Sequence, residues 1–321
     1  MDRSRQLEGV VVQILAGVFS GAGAGVAGYF GGGQTAGGVD VTTIEKFTFP
    51  ADTRSVLVPT LTNDRSNLAG FADSGVAGYF GGGSGPVGYI SGIDKITFPA
   101  DTKSTLVATL TTGRQRMASF ANSGVAGYFA GGDDVGGNLD GIDKITFPLD
   151  GKSTLGVVLT SARNALAGMA NSGVAGYAAG GDASGFLNGI DKITFPGDTK
   201  STLVPTLSTA VSELGGMADS GVAGYFAGGV GSGGSISAID KITFPGDTKS
   251  TLVPTLSTVN RRLAGMADKG VAGYFGGGRD TVGRIATVDK IAFPSDTKST
   301  LGTGLSQVNE RLSAMADCGV F

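Results

Sequence analysis

Gly25-Val26-Ala27-Gly28-Tyr29-Phe30-Gly31-Gly32 decides how this chain is read, because the same words return almost letter for letter up to its end. The tyrosine recurs as Tyr79, Tyr128, Tyr177, Tyr225 and Tyr274, at spacings of 50, 49, 49, 48 and 49 residues. A period near fifty fits one four-stranded blade of a β-propeller, a unit that buries its two apolar faces only against its neighbours.

Working outward from the tyrosine, each copy divides into short strands. Val76-Ala-Gly-Tyr79-Phe80 ends in Gly81-Gly82-Gly83, which breaks pairing and lets the chain turn. After a loop of irregular sequence, Ile93-Asp-Lys-Ile96-Thr97-Phe98 is β-branched and aromatic and stops at Pro99 and the turn Ala100-Asp101-Thr102-Lys103. Thr105 to Leu110 reads as a third strand and Met117 to Ala121 as a fourth, closed by Asn122-Ser123-Gly124. No window holds a helical apolar stripe of useful length. The expected fold is all-β: six four-stranded antiparallel blades over residues 25–321, preceded by an arm, residues 1–24. Leu312-Ser-Ala-Met315-Ala316-Asp317 matches the inner strand that the first blade lacks, so the C-terminal strand is expected to close the ring.

Composition narrows the chemistry. The 321 residues contain no histidine, which removes His-based triads, histidine general bases and imidazole metal sites. The single cysteine, Cys318, sits where other repeats have Ser or Lys and reads as a turn residue; it leaves no intrachain disulfide and no thiolate cluster. A net charge of −3 gives no basic field for nucleic acid. Neither metal nor cofactor is expected. In the arm, Val10 to Phe19 is apolar but too short to span a bilayer, and Asp2, Glu8 and Gln13 do not suit a signal peptide. The arm is therefore expected to dock on the ring or on a partner.

Two phosphate-site fragments carry no weight. Gly23-Ala-Gly25-Val-Ala-Gly28 fits the dinucleotide fingerprint, but glycines follow where a helix must start; Gly151-Lys152-Ser153 lacks the remainder of a P-loop. The turn aspartates (Asp52, Asp101, Asp150, Asp198, Asp247, Asp296) recur once per blade and read as turn caps, while Asp94 and Lys95 with their counterparts read as interblade ion pairs.

The pattern R-x-x-L-A-x-(M/F)-A-(D/N)-S-G-V-A-G-Y-F-x-G-G, followed by I-D-K-I-T-F-P-x-D-T-K-S-T-L, resembles a kelch blade, with a double glycine ending the second strand and an aromatic third strand. The kelch tryptophan is absent. The near-identity of the copies around GYFGGG is similar to kelch-like repeat proteins of tailed bacteriophages, notably those of cyanobacteria. That resemblance implies a virion or tail-associated structural protein or adhesin, found in the extracellular particle, with other virion proteins meeting residues 1–24 or the constant face. A copper oxidase on such a scaffold needs histidine, which this chain lacks. A carboxylate glycan hydrolase built from Asp133, Asp134, Asp140 and Asp182 is the enzymatic alternative, and a cellular kelch-like protein-interaction module is another.

In an up-and-down blade, the second-to-third loop and the connection to the next blade share one face. Those segments differ in every copy (residues 34–43, 84–92, 133–141, 182–189, 230–238 and 279–287), whereas the opposite turns are nearly constant. Arg65, Arg114, Arg116, Arg163, Arg261, Arg262, Arg279, Arg284 and Arg311 fall in or beside the variable segments, and no lysine does. Planar guanidinium forks suit carboxylate and phosphate, and Tyr89 and Phe186 can lie against a sugar. The expected ligand-binding residues are Tyr89, Phe186, Arg261, Arg262, Arg279 and Arg284, facing a host-surface glycan. The alternative role for the arginines is to tie blades together through Asp64, Glu213 and Glu310.

Overall fold

The computed structural model describes residues 27–317. It is a ring of six four-stranded antiparallel sheets, the six-bladed β-propeller that kelch-like repeats also build. Strands are lettered a to d from the axis outward. In blade 2 they are Ala69–Asp73, Ala77–Gly81, Ile93–Thr97 and Thr102–Thr105. Strand a of blade 1 comes from the far end of the chain: Ser313–Ala316 pairs with Ala27–Gly31, with Gly28 opposite Ala316. The expected C-terminal closure is thus present. The arm and Cys318 lie outside the described residues.

The outer strand lies earlier than the sequence suggests, at Thr102–Thr105 instead of Thr105 to Leu110. Asp101 adopts φ 55°, so the chain reverses tightly enough for Thr102 to pair with Thr97 at once. Beyond Thr105 the backbone turns under the blade, where the Leu106 and Leu110 amides donate to the Ile93 and Ser91 carbonyls. Inner strand a is shifted by one residue, to Ala118–Asn122 in blade 3. The variable loop of blade 2 is not irregular either, since Ser84–Gly85 and Gly88–Tyr89 form a small hairpin.

The repeated words follow from packing. Gly127 of strand b has no room for a Cβ because Phe71 from the previous blade's inner strand occupies that space; Phe120 stands in the same way over Gly176 and Met169 over Gly224. Gly82 and Gly83 sit at φ 65° and 101°, which turns strand b into the variable loop.

One polar clasp joins each blade to the next. Tyr29 and Lys46, paired across strands b and c of blade 1, both reach Asp101 in the c–d turn of blade 2, at 2.7 Å each. Phe98 of blade 2 stacks on the Tyr29 ring at 5.1 Å, and Lys46 Nζ lies 5.4 Å from its centre. The arrangement repeats around the ring until Tyr274 and Lys290 of blade 6 reach Asp52 of blade 1. The turn aspartates are therefore interblade clasps in addition to turn residues. Burial, then the hydrogen bond to Asp101, pushes the Tyr29 phenol far above its usual range, and Tyr79, Tyr128, Tyr177 and Tyr225 follow.

Candidate functional site

Strand polarity places the variable hairpins and the interblade connections on one face and the constant turns on the other. Of the arginines singled out from sequence, Arg65, Arg114 and Arg163 are interior. Each is buried against the strand-c aspartate of its own blade (Asp94, Asp143 and Asp191), at 2.7, 2.9 and 3.1 Å. Burial alone would raise the Asp94 pKa, but hydrogen bonds from Thr62, the Arg65 charge and a bond from Thr105 outweigh it and hold the carboxyl below its usual range. These arginines also satisfy strand-b carbonyls, as Arg65 does for Phe80 and Gly82. They belong to the scaffold.

Of the remaining six, all but Arg116, which lies at the entry to blade 3, gather in one sector, where the connection into blade 6 and the blade 6 hairpin lie side by side. Backbone bridges set Arg261 opposite Arg279 and Arg279 opposite Arg284, a row of like charges. Glu310 of blade 1, 1 % exposed, lies against this row at 3.6 Å from Arg279 and 3.0 Å from Arg284. It also accepts from Arg262 at 3.2 Å. Glu213 of blade 5 meets Arg262 at 2.8 Å and Arg261 at 3.7 Å from the other side. Burial would lower the Arg262 pKa, but the two glutamates outweigh burial and raise it. With Arg311 beside them and Asp280 capping the hairpin tip, five arginines face three carboxylates. The sector carries a net charge of +2 in a chain of net charge −3.

The four predicted binding arginines are thus brought together, and they tie blades 5, 6 and 1 through Glu213 and Glu310. Arg261 and Arg279 keep the most exposure, 30 % and 35 % of their side chains. Tyr89 and Phe186 lie apart from them, in the hairpins of blades 2 and 4. The Tyr89 hydroxyl faces Asp133 of blade 3 at 3.4 Å, and Phe186 is half-buried beside the Asp182 bridge. Asp134 and Asp182, considered above for hydrolysis, accept backbone amides of their own turns. Asp133 is buried and accepts from Gln115 at 3.0 Å.

Sequence reading did not anticipate the feature on the axis. Where the chain enters its six inner strands, Asn67, Arg116, Ala165, Glu213, Arg262 and Arg311 all adopt φ between 54° and 61°. Each donates its amide to the carbonyl of the equivalent residue one blade back, at 2.7–2.9 Å, so six peptide groups form a closed ring around the axis. The left-handed backbone is what turns each amide sideways toward its neighbour. This ring rims a cup of about 120 Å³ that reaches down to the level of Gly70, Ser119, Gly168, Gly216, Gly265 and Ala314. The available signal was the alignment of the copies: this position varies in charge from blade to blade while the residue after it stays Leu or Met.

Among the described residues no group of three or more Cys, Asp or Glu side chains could hold a metal ion, and no helix is long and apolar enough to cross a membrane. Comparison with known protein families and with curated proteins finds no match for this chain.

Proposed function

We propose that this chain is a non-enzymatic recognition module, a virion-associated structural protein or adhesin of a tailed phage, whose variable face binds an anionic host-surface glycan. The observation that carries this reading is the segregation of sequence: clasps, glycines and constant turns repeat blade by blade, while variation and unbalanced positive charge collect on one face. Arginine forks bind carboxylate and phosphate in two-point geometry, and at a partly buried site such bonds outlast those on open surface. The phage setting rests on the style of the repeats. A non-catalytic role is supported by three of the four loop aspartates, Asp133, Asp134 and Asp182, which accept from Gln115 or from turn amides.

Incubating the purified ring with acidic and neutral surface polysaccharides tests this. Capture of the acidic polymer without release of fragments is expected. Arg261→Ser combined with Arg279→Ser, the two most exposed of the four, should weaken capture at least tenfold at low salt and leave the melting temperature within a few degrees. Capture that ignores the substitutions sinks the ligand assignment, and released fragments point to the hydrolase.

A further inference from the structure

The six rim positions share one backbone geometry but not one chemistry. Around the ring the order is Asn67, Arg116, Ala165, Glu213, Arg262 and Arg311, so three of the six positions bring positive charge and one brings negative charge. Arg262 is neutralised by Glu213 and Glu310. Arg116 and Arg311 are not: among the described residues neither has a carboxylate within ion-pair distance, and Arg311 makes only a 3.4 Å bond to Gln34 with its Nε unpartnered. They flank Asn67 in the ring, and both line the cup. Burial, then the charges of Arg262 and Arg116, pull the Arg311 pKa down and outweigh the more distant Glu310 and Glu213, so Arg311 feels the other rim guanidiniums.

Below the rim the wall is a tier of Leu68, Met117, Leu166, Leu214, Leu263 and Leu312, followed by backbone and small residues. Inner strands meet so closely that a Cβ on Gly168, Gly216 or Gly265 would overlap a neighbouring strand's carbonyl, so the cup cannot widen with depth. Its size admits a single compact group and excludes the middle of a polymer chain. We infer that the cup takes one carboxylate or phosphate at the end of a glycan chain, bound end-on by Arg116 and Arg311. A planar or tetrahedral oxyanion between two guanidiniums supplies the direct ion-pair partner that Arg116 and Arg311 lack. The Asn67 side chain between them, already held by Gln115 at 3.0 Å, keeps that segment of the rim neutral. The glycan part of this inference rests on the proposed recognition role; the anion part stands on the rim alone.

The chain itself supplies suitable substitutions: Asn67 holds the same ring position at φ 56°, so Arg116→Asn and Arg311→Asn keep a residue known to fit. Calorimetric titration of the intact chain at low ionic strength should show binding of glucuronate and glucose 6-phosphate and none of glucose. The double variant should bind both at least tenfold more weakly, with a melting temperature equal to or above that of the parent because like charges have been removed. Undiminished binding by the double variant overturns the assignment. Inorganic phosphate binding as tightly as glucose 6-phosphate overturns the glycan part, because it removes the sugar from the site, and supports the anion part. Oligosaccharides with the acid at the terminus should compete with glucuronate, and those with only internal acids should not; equal competition overturns end-on binding while leaving the recognition role intact. If glucuronate binds through Arg116 and Arg311 but no acidic polysaccharide is captured, the cup stands and the proposed recognition role fails.

Discussion

At the residue scale, the Tyr-Lys-Asp clasp governs how the ring responds to alkali. A tyrosine that donates to a buried-side carboxylate has to keep its proton, and the folded-state pKa of Tyr29, Tyr79, Tyr128, Tyr177 and Tyr225 is raised above that of the unfolded chain. Such a group contributes stability that is complete below pH about 10, the unfolded value, and is lost as pH rises toward the folded one. Tyrosinate absorbance from these residues should therefore appear together with loss of β-sheet circular dichroism, in one step. Tyrosinate that appears first, in a ring still folded, contradicts the clasp. Asp101→Ala removes two charge-assisted bonds at one blade boundary and should lower stability by about 2 kcal/mol, since the pair is about four-fifths buried. Of these contacts the sequence disclosed the parts but not their assembly. Asp101 reads as a turn residue because its neighbours in sequence are turn residues, and nothing local says that its carboxylate meets Tyr29, 72 residues away.

At the scale of elements, period and glycine placement were enough to derive blade number, strand count and closure, because each depends on the repeat and not on any single contact. Strand edges were less legible. Asp101 in the left-handed region reverses the chain sooner than β-propensity alone implies, which moved the outer strand to Thr102. The axial ring escaped notice because positive φ at Arg116 or Ala165 contradicts residue preference; it is imposed by the bond to the next blade. The closing strand is the element on which the others depend. Removing residues 312–321 strips Ala27–Gly31 of a pairing partner and takes the buried Leu312, Ala314, Met315 and Ala316 out of the core. Two large apolar side chains at about 2 kcal/mol each, plus an opened ladder, bring the loss to about 5 kcal/mol or more. A melting temperature lower by about 10–20 °C is expected; a truncated chain that melts unchanged means the ring does not depend on this strand.

At the scale of the whole molecule, the predicted arginine cluster was legible as composition, since arginine and not lysine populates the variable segments. Its division into buried scaffold, glutamate-bound tie and unpaired rim was not, because the same residue type serves all three and only the neighbours differ. The closing strand has one more consequence, and it is mechanical. Strand b of blade 1 begins at Ala27 and strand a ends at Ala316, followed by Asp317, whose amide donates to the Ala27 carbonyl at 2.8 Å, so both ends of the described chain leave through the constant face. A pull applied between these two points opens the ladder like a zipper, one bond at a time. A pull from Ala27 against the hairpin tip at Ser184, on the opposite face, instead slides strand b lengthwise between two partners and loads its bonds together. Force spectroscopy with the two attachment geometries should give a clearly higher rupture force for the second. A ring tethered by its constant face and loaded through its variable face is therefore gripped in its strong direction.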